Sequence, residues 1–472
     1  MVTMEEKIKI CICGGGNGAH VMAGLAAAHA RTEVRVLTLY QDEAVVWTEK
    51  MKQGDLIIAR NSPDRTVEEI KATPAVITKD AGQATQNADV IIFCVPAFTH
   101  KQYFEAIAPY VKENMSIIGL PGQPGFEFQC LNILKDKARS CAILDYESLP
   151  WACRLAEFGR KVDLLATKDA LIGSLIFGKS QPKHDPVELL QSIFGEHPIL
   201  IKGNNYLETV LMVKGFAHPA LLYGHWVSWD GKPVEEKPLF YQGLTEFAAS
   251  VLRDVSQEIV NTAKAISKAR PEVTMENVEH FESWIIRNYH HTIQDPTNLY
   301  TAMKTNTAYD GLVHPMKEIL PGKYMPDFHH RYLEEDVPYG LAVTKGVAQI
   351  VGVATPCTDK VITWAQGHLG KEFLVGSELK GKDIKDTTAP QAFELNTLDD
   401  LLSLRLRSQG VQCSNQSDFF SLWFLDGWFP LPVYYLYASR HHHHHHHTTA
   451  TTWRFHLSGC GLSSSPSSFP SS

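Results

Sequence analysis

Two rhythms of apolar and polar residues alternate along the first 150 positions. Residues 7 to 13, KIKICIC, alternate around an apolar middle and predict a strand that runs into glycines at 14, 15 and 16. AHVMAGLAAAHA, rich in small residues, reads as the helix that follows, and EVRVLTLY as a second strand. DEAVVWTEKM has helical character, AVITKD strand character, AGQATQNA helical character again, and DVIIFCVP is a strong strand. Thr99 stands three residues before Gln102, a capping-box pattern that would open the helix containing YFEAIAPYV. MSIIGLP, EFQCLNILKDK and SCAILDY continue the order strand, helix, strand. Strands separated by helices predict a parallel sheet with right-handed crossovers, in which a nucleotide binds across the carboxyl ends of the strands.

After about residue 204 the strand signals thin out. YLETVLMVKGFAHPALLYGHW, LTEFAASVLRDVSQEIVNTAKAISKA, VEHFESWIIRNYHHTI and YGLAVTKGVAQIVGVA all carry helical spacing, and Pro219 should bend its helix or start a new one. The expected architecture is an α/β Rossmann-type parallel-sheet domain over 1–204, a mainly α-helical domain over 205–400 with a substrate cleft between them, and a tail over 401–472. In that tail, FFSLWFLDGWFPLPVYYLY at 419 to 437 raises the question of a membrane span, which Asp426, Pro430 and Pro432 argue against. Seven histidines at 441 to 447 read as a purification tag or a low-complexity metal-binding run, and the residues that carry function are expected before about 400.

Composition narrows the function. A chain of 472 residues with 44% hydrophobic and 20% charged residues can bury more than one core, and a formal net charge of -8 without a Lys/Arg block gives nucleic acid no electrostatic hold. Nine scattered cysteines without a CxxC pair indicate neither a disulfide framework nor a thiolate zinc site. The opening MVTMEEKIKICICGGG has acids ahead of an apolar run too short for a secretory signal, so cytoplasm is the expected compartment.

Gly14-Gly15-Gly16-Asn17-Gly18-Ala19 reads as G-x-G-x-x-A. Gly14 would make the tight turn, Gly16 would let the backbone approach a pyrophosphate, and Ala19 would let the helix pack closely on the sheet. A purely structural glycine turn is the alternative, and the strand–helix context favours the nucleotide. The second strand ends Thr38-Leu39-Tyr40-Gln41, without an acid for the ribose hydroxyls. Asp42 is either its substitute or a helix cap, and Arg35 is either a 2'-phosphate ligand or a surface arginine, which leaves NADH and NADPH both open. His218, beside Pro219, is either a hydrogen-bonded packing residue or a proton donor and acceptor. Arg331 and Asp336, five residues apart, need a turn to reach one substrate. Arg331 could be a surface ion-pair partner or a fork for a carboxylate, and Asp336 a helix cap with Pro338 in the following turn.

The motifs GGGNGAH, GLPGQPGFEFQC, LPWACR, FAHPALLYGHWVSWDGKP, GLVHPMKE and RYLEEDVPYG together resemble the opine dehydrogenases of the octopine and tauropine type found in marine invertebrates, over roughly residues 7 to 400. The resemblance implies NADH-dependent reductive condensation of pyruvate with an amino acid or taurine, regenerating NAD in anaerobic glycolysis, by a monomer. It implies that His218 is the proton donor and acceptor, that Asp336 is its partner, and that Arg331 holds a substrate carboxylate. It also implies that Gln123, Glu147, Cys153, Met212 and Trp284 line the amino-acid side of the pocket. The alternatives are a 2-hydroxy acid dehydrogenase that needs no amine and a dinucleotide-binding protein without catalysis.

Overall fold

Ile10, Cys11, Ile12 and Cys13 are all fully buried. A run with no exposed face can only be a central strand covered on both sides. The computed structural model, which describes residues 6–62 and 64–404, builds it as such. The strands are β1 (Ile8–Cys13), β2 (Thr32–Leu37), β3 (Leu56–Asn61), β4 (Val67–Ala72), β5 (Val76–Thr78) and β6 (Val90–Phe93). β7 (Ser116–Gly119), β8 (Ala142–Tyr146), β9 (Trp151–Glu157), β10 (Lys161–Thr167), β11 (Ala170–Ile176) and β12 (Ile199–Lys202) follow. Eight of these form one sheet in the order β12-β11-β8-β7-β6-β1-β2-β5.

β1 lies parallel to β2 and to β6, with Ile10 opposite Val34 on one side and Val90 on the other. Chain order reverses between β1 and β6, so a crevice opens there beyond the carboxyl ends of the strands. The segments that begin at Gly14, Thr38, Cys94, Leu120 and Glu147 all emerge at that edge, because β1, β2, β6, β7 and β8 run the same way. The sheet is mixed rather than wholly parallel, since β11 pairs antiparallel with β8, Gly173 opposite Tyr146.

A second, four-stranded sheet, β4-β3-β10-β9, was not foreseen from the sequence. β4 is mostly exposed and charged, VEEIKA, and carries no apolar alternation by which to read it as a strand. This sheet packs on the helix Asn17–Ala28, where a Cβ added to Gly24 would lie 2.4 Å from Ile58 Cδ1.

From Tyr206 onward helices dominate. The longest, Glu246–Ala269, starts at Thr245, whose side chain accepts from the Ala248 N–H, and buries Val251, Leu252, Val255, Ile259, Ala263 and Ile266 at three- and four-residue steps. It crosses the helix Ala217–Trp226 so closely that a Cβ on Gly224 would sit 2.6 Å from Ala248 Cα. At the N-terminus of the helix Pro356–Leu369 the buried Glu258 carboxylate accepts the Cys357 N–H at 3.0 Å and the Thr358 N–H at 2.8 Å, where the helix dipole favours negative charge.

The alternation of β1 separates two cores. Ile10 and Ile12 join one on the side of the helix Asn17–Ala28, and Cys11 and Cys13 join another that continues through Phe93, Phe104 and Phe126 into the helices. One face of the sheet and the helical region thus share a continuous apolar interior. No helix among the described residues is long and apolar enough to cross a membrane.

A border at 400 cuts the helix Leu398–Leu402, in which Leu401 is fully buried and its carbonyl accepts the Tyr206 hydroxyl at 2.5 Å. The aromatic segment at 419 to 437 and the histidine run lie outside the described residues.

The helix that was to open on a capping box at Thr99 instead spans Ala97–Ile107 after Pro96. Thr99 lies inside its first turn, and its hydroxyl bonds back to the Pro96 carbonyl at 2.8 Å. Pro at the entry ends the extended segment earlier than the Thr/Gln pair suggests.

Candidate active site

The glycine turn leaves β1 with Gly14 at φ +131, a conformation open to glycine, and a Cβ there would lie 2.4 Å from the Cys94 carbonyl oxygen. Gly16 is different. A Cβ added to it meets nothing within 4 Å, so the backbone faces open space where the helix Asn17–Ala28 begins. That helix has no side-chain cap and no acid in its first turn, which leaves its free N–H groups suited to an anion such as a pyrophosphate. Gly18 lies against Leu149, and Ala19 is fully buried. The Asn17 side chain is committed in part to the scaffold, since its Oδ1 accepts the Leu155 N–H at 2.9 Å.

His20 fixes this turn from beneath. Its ring lies flat on Trp47, centroids 3.8 Å apart and 4° from parallel. Nδ1 donates to the Gly16 carbonyl at 2.8 Å and Nε2 accepts the Gly159 N–H at 3.0 Å. Burial lowers its pKa to about 4, so the ring is neutral near pH 7 and both of these roles are compatible with one tautomer.

The acid missing from the end of β2 is supplied from the next helix. Glu43 Oε2 accepts from the Thr38 hydroxyl at 2.7 Å and crowds Gly15, where a Cβ would have no room. Asp42, weighed earlier for this role or as a cap, makes no side-chain cap bond. Arg35 is no surface residue: it is buried, paired with Glu33 at 3.2 Å, and bonded to the Gln86 carbonyl. Glu43 escaped the sequence reading because it lies past the strand end, in the first turn of the helix Glu43–Met51, and only the loop between them brings it to Thr38.

In the helical region, the helix Tyr206–Met212 ends, the chain breaks over Val213 to Phe216, and Pro219 lies in the first turn of a new helix, Ala217–Trp226. The break sets His218 at that turn. Its Nδ1 lies 2.6 Å from Asp336 Oδ2 and its Nε2 3.0 Å from the Tyr241 hydroxyl. Burial pushes the Tyr241 hydroxyl well above its usual range, so it stays protonated and donates to Nε2 while Nδ1–H donates to Asp336. Tyr332 stacks on the imidazole, centroids 4.0 Å apart and 15° from parallel, and the exposed Arg331 guanidinium lies 5.6 Å from the Tyr332 ring centre. A Cβ on Gly215 would come within 2.9 Å of Asp336 Oδ1, so the backbone also approaches this carboxylate.

The five-residue spacing of Arg331 and Asp336 resolves as a wide turn. The Glu335 N–H bonds to the Arg331 carbonyl at 2.9 Å, and the Leu341 N–H to the Asp336 carbonyl at 2.9 Å, a π-type step. Asp336 precedes Val337–Leu341 but makes no cap bond, because its carboxylate is turned to His218. Its neighbour Glu335 reaches the other way and accepts the Ala97 N–H at 3.0 Å, at the start of the helix after β6. RYLEED therefore binds the histidine with one acid and the sheet edge with the next.

Gln123 lies in the loop after β7 at φ +63. Asp145, at the end of β8, accepts the Gly122 N–H of that loop at 2.7 Å. Beside it Glu127 is buried, and burial raises both carboxyls, Glu127 to about 7. Glu147 follows β8 and accepts the Ile172 N–H at 3.3 Å; burial raises it, while the charges of Lys214, Lys168 and Arg287 act against the rise. Trp284 is half-buried, with the Lys214 ammonium 5.4 Å from its ring centre. Cys153 lies in β9 with its thiol pushed by burial to about 11, and Met212 is buried at the end of its helix. The fold thus joins His218, Asp336 and Arg331 through Tyr332, and relates Glu147 to Trp284 through Lys214. Cys153 and Met212 are not joined to either group by a polar contact. Tyr241, Tyr332, Glu335 and Lys214 were missed; Tyr332 and Glu335 stand inside the motif RYLEEDVPYG, Lys214 lies two residues ahead of FAHPALLYGHW, and Tyr241 gives no sequence signal.

A glycine turn at the reversal point of a mainly parallel sheet, with a histidine–aspartate pair tied to the same edge, defines a two-domain dinucleotide-dependent oxidoreductase. Residues 202–369 match the family of the NAD/NADP octopine/nopaline dehydrogenase alpha-helical domain, and residues 10–120 match ketopantoate reductase PanE/ApbA. The opine dehydrogenase of Haliotis discus hannai is 54% identical over 404 residues, covering 85% of this chain and 100% of that protein. Octopine dehydrogenase of Pecten maximus is 49% identical over 84% of this chain and 99% of its own length, and tauropine dehydrogenase of Arabella iricolor is 44% identical over 84% and 100%. A solved octopine dehydrogenase with NADH and L-arginine superposes with a TM-score of 0.81 at 47% identity, over 87% of this chain and 100% of that one. The chain belongs to the opine dehydrogenase family.

Proposed function

We propose that this chain uses NADH to condense pyruvate reductively with an amino acid or taurine, in both directions, as a cytoplasmic monomer. The observation that carries the reading is the RYLEED turn: Asp336 orients His218 while Glu335 grips the helix at the sheet edge beside the glycine turn. Acid–base chemistry and cofactor edge are thereby held by adjacent residues. The family supports the same reaction.

The residues present fit the dinucleotide. The uncapped N–H groups at Gly16 to Gly18 suit its pyrophosphate, and Glu43 with Thr38 stands at the end of β2 for a ribose hydroxyl. When bound, the reduced nicotinamide supplies a hydride. Arg35, buried and already bonded to Glu33 and to the Gln86 carbonyl, is not available to a 2'-phosphate, which favours NADH.

His218 and Asp336 do the proton work. Asp336 holds Nδ1–H and thereby presents Nε2, which takes protons from the substrate ammonium and passes them to the pyruvate oxygen, so that the C–N bond forms as the C–O bond breaks and water leaves; the reverse direction retraces these transfers. Arg331 offers its fork to a substrate carboxylate, and stacking on Tyr332 keeps it near the imidazole. Gln123, Glu147, Cys153, Met212 and Trp284 form the amine side of the pocket.

The test is NADH oxidation with pyruvate alone and with pyruvate plus a panel of amino acids and taurine, repeated with NADPH. Turnover is expected only with both substrates and with NADH preferred in kcat/KM. Comparable turnover with pyruvate alone would assign a 2-hydroxy acid dehydrogenase. Gel filtration at assay concentration checks the monomer.

A further inference from the structure

The amine side of the pocket already contains a cation of its own. Lys214 lies in the break between the helices Tyr206–Met212 and Ala217–Trp226, next to Gly215, whose backbone approaches Asp336. Its ammonium stands over the face of Trp284, 5.4 Å from the ring centre, within the range of a cation–π contact. It acts on the Glu147 carboxylate, as do Lys168 and Arg287. Glu279, a second acid that acts on Lys214, is engaged by the Arg287 guanidinium through two hydrogen bonds. An acid and an aromatic face are the two features that a guanidinium would need in this pocket, and here both attend to a lysine.

We infer that Lys214 occupies the seat for a substrate cation between Glu147 and Trp284, so that the amine substrate is one with a short, uncharged or anionic remainder rather than a guanidinium-bearing amino acid. This rests on the proposed condensation and names its substrate class. A second cation would enter a region where Lys214, Lys168 and Arg287 already act on Glu147, and would have to displace an ammonium from the Trp284 face. A small amine leaves Lys214 where it is, and a sulfonate or distal carboxylate gains from it. Burial lowers Lys214 to about 8, with Glu147 and Glu279 opposing that shift and Arg287 adding to it, so the lysine carries its charge at neutral pH.

The experiment compares kcat/KM for L-arginine with that for L-alanine, glycine, β-alanine and taurine, at saturating pyruvate and NADH, in the full-length protein and in Lys214→Met and Lys214→Arg. In the unaltered enzyme the best small amine should exceed arginine by at least tenfold. Lys214→Met, which keeps the stem and removes the charge, should raise arginine relative to the best small amine by at least threefold, and Lys214→Arg should keep the original order. An arginine value within tenfold of the best small amine in the unaltered enzyme, or a ratio moved by less than threefold in Lys214→Met, overturns the inference while leaving the condensation intact. Should Lys214→Met fail to fold, Lys214→Gln is read against the same threshold. No turnover with any amine overturns the condensation itself and the inference with it.

Discussion

The carboxylate of Asp336 lies 2.6 Å from Nδ1 of His218 across 118 positions of sequence. At that distance one oxygen accepts a single directed hydrogen bond, and the opposite nitrogen is left to Tyr241 and the substrate space. His218→Ala is expected to lower kcat by about 10²- to 10⁴-fold with NADH affinity little changed. Asp336→Asn, which keeps the shape but frees the tautomer, should lower kcat by a factor on the order of 10² to 10⁴. Steady-state kinetics beside NADH fluorescence titration checks both. Loss of folded protein with unchanged specific activity in the folded fraction would make His218 a packing residue.

Glu335 predicts a link between pH and stability. Burial, the largest influence, raises its carboxyl above the unfolded value, while the Ala97 N–H acts the other way. A raised carboxyl means that the folded chain holds the proton more tightly, so this residue's contribution to stability declines as pH rises through the folded value. Glu335→Gln keeps an acceptor for Ala97 and should flatten that decline. Glu335→Ala leaves a buried N–H unpaired and should cost about 1–3 kcal/mol in denaturant melts. Identical pH dependence in the Gln variant and the parent would disprove the assignment.

Gly14→Val should abolish measurable NADH binding and lower the melting temperature together. The residue combines φ +131 with a backbone oxygen 2.4 Å from any Cβ, so neither rotation nor side-chain adjustment relieves it. Gly16→Ala meets no protein atom within 4 Å, and its effect should fall on NADH affinity alone. Equal loss of melting temperature in both variants would contradict this division.

A chain ending at Leu404 should keep activity and melting behaviour, whereas one ending at Asn396 should not. The shorter chain loses the helix Leu398–Leu402, the buried Leu401 side chain, worth about 1.5–3 kcal/mol by its transfer from water, and the acceptor of the Tyr206 hydroxyl. Calorimetric scans of the two truncations decide it.

Much of this protein is written locally. KIKICIC followed by three glycines reads as an apolar strand entering a tight glycine turn, because an apolar run suited to burial on both faces and freedom at φ +131 belong to those residue types. The helical periodicity beyond residue 204 and the Pro219 boundary are local in the same sense. The second sheet is not: β4 is a charged edge strand that exists only because β3 offers it hydrogen bonds. Glu43 meets Thr38, Tyr241 meets His218 and Lys214 meets Trp284 by folding alone, since each pair joins separate elements whose spacing in sequence carries no periodic signal. The sequence by itself therefore determined which residue types could bind a dinucleotide and move a proton. Tertiary structure decided which of them share a hydrogen bond, because a hydrogen bond depends on distances of about 3 Å that only the packing of whole elements sets.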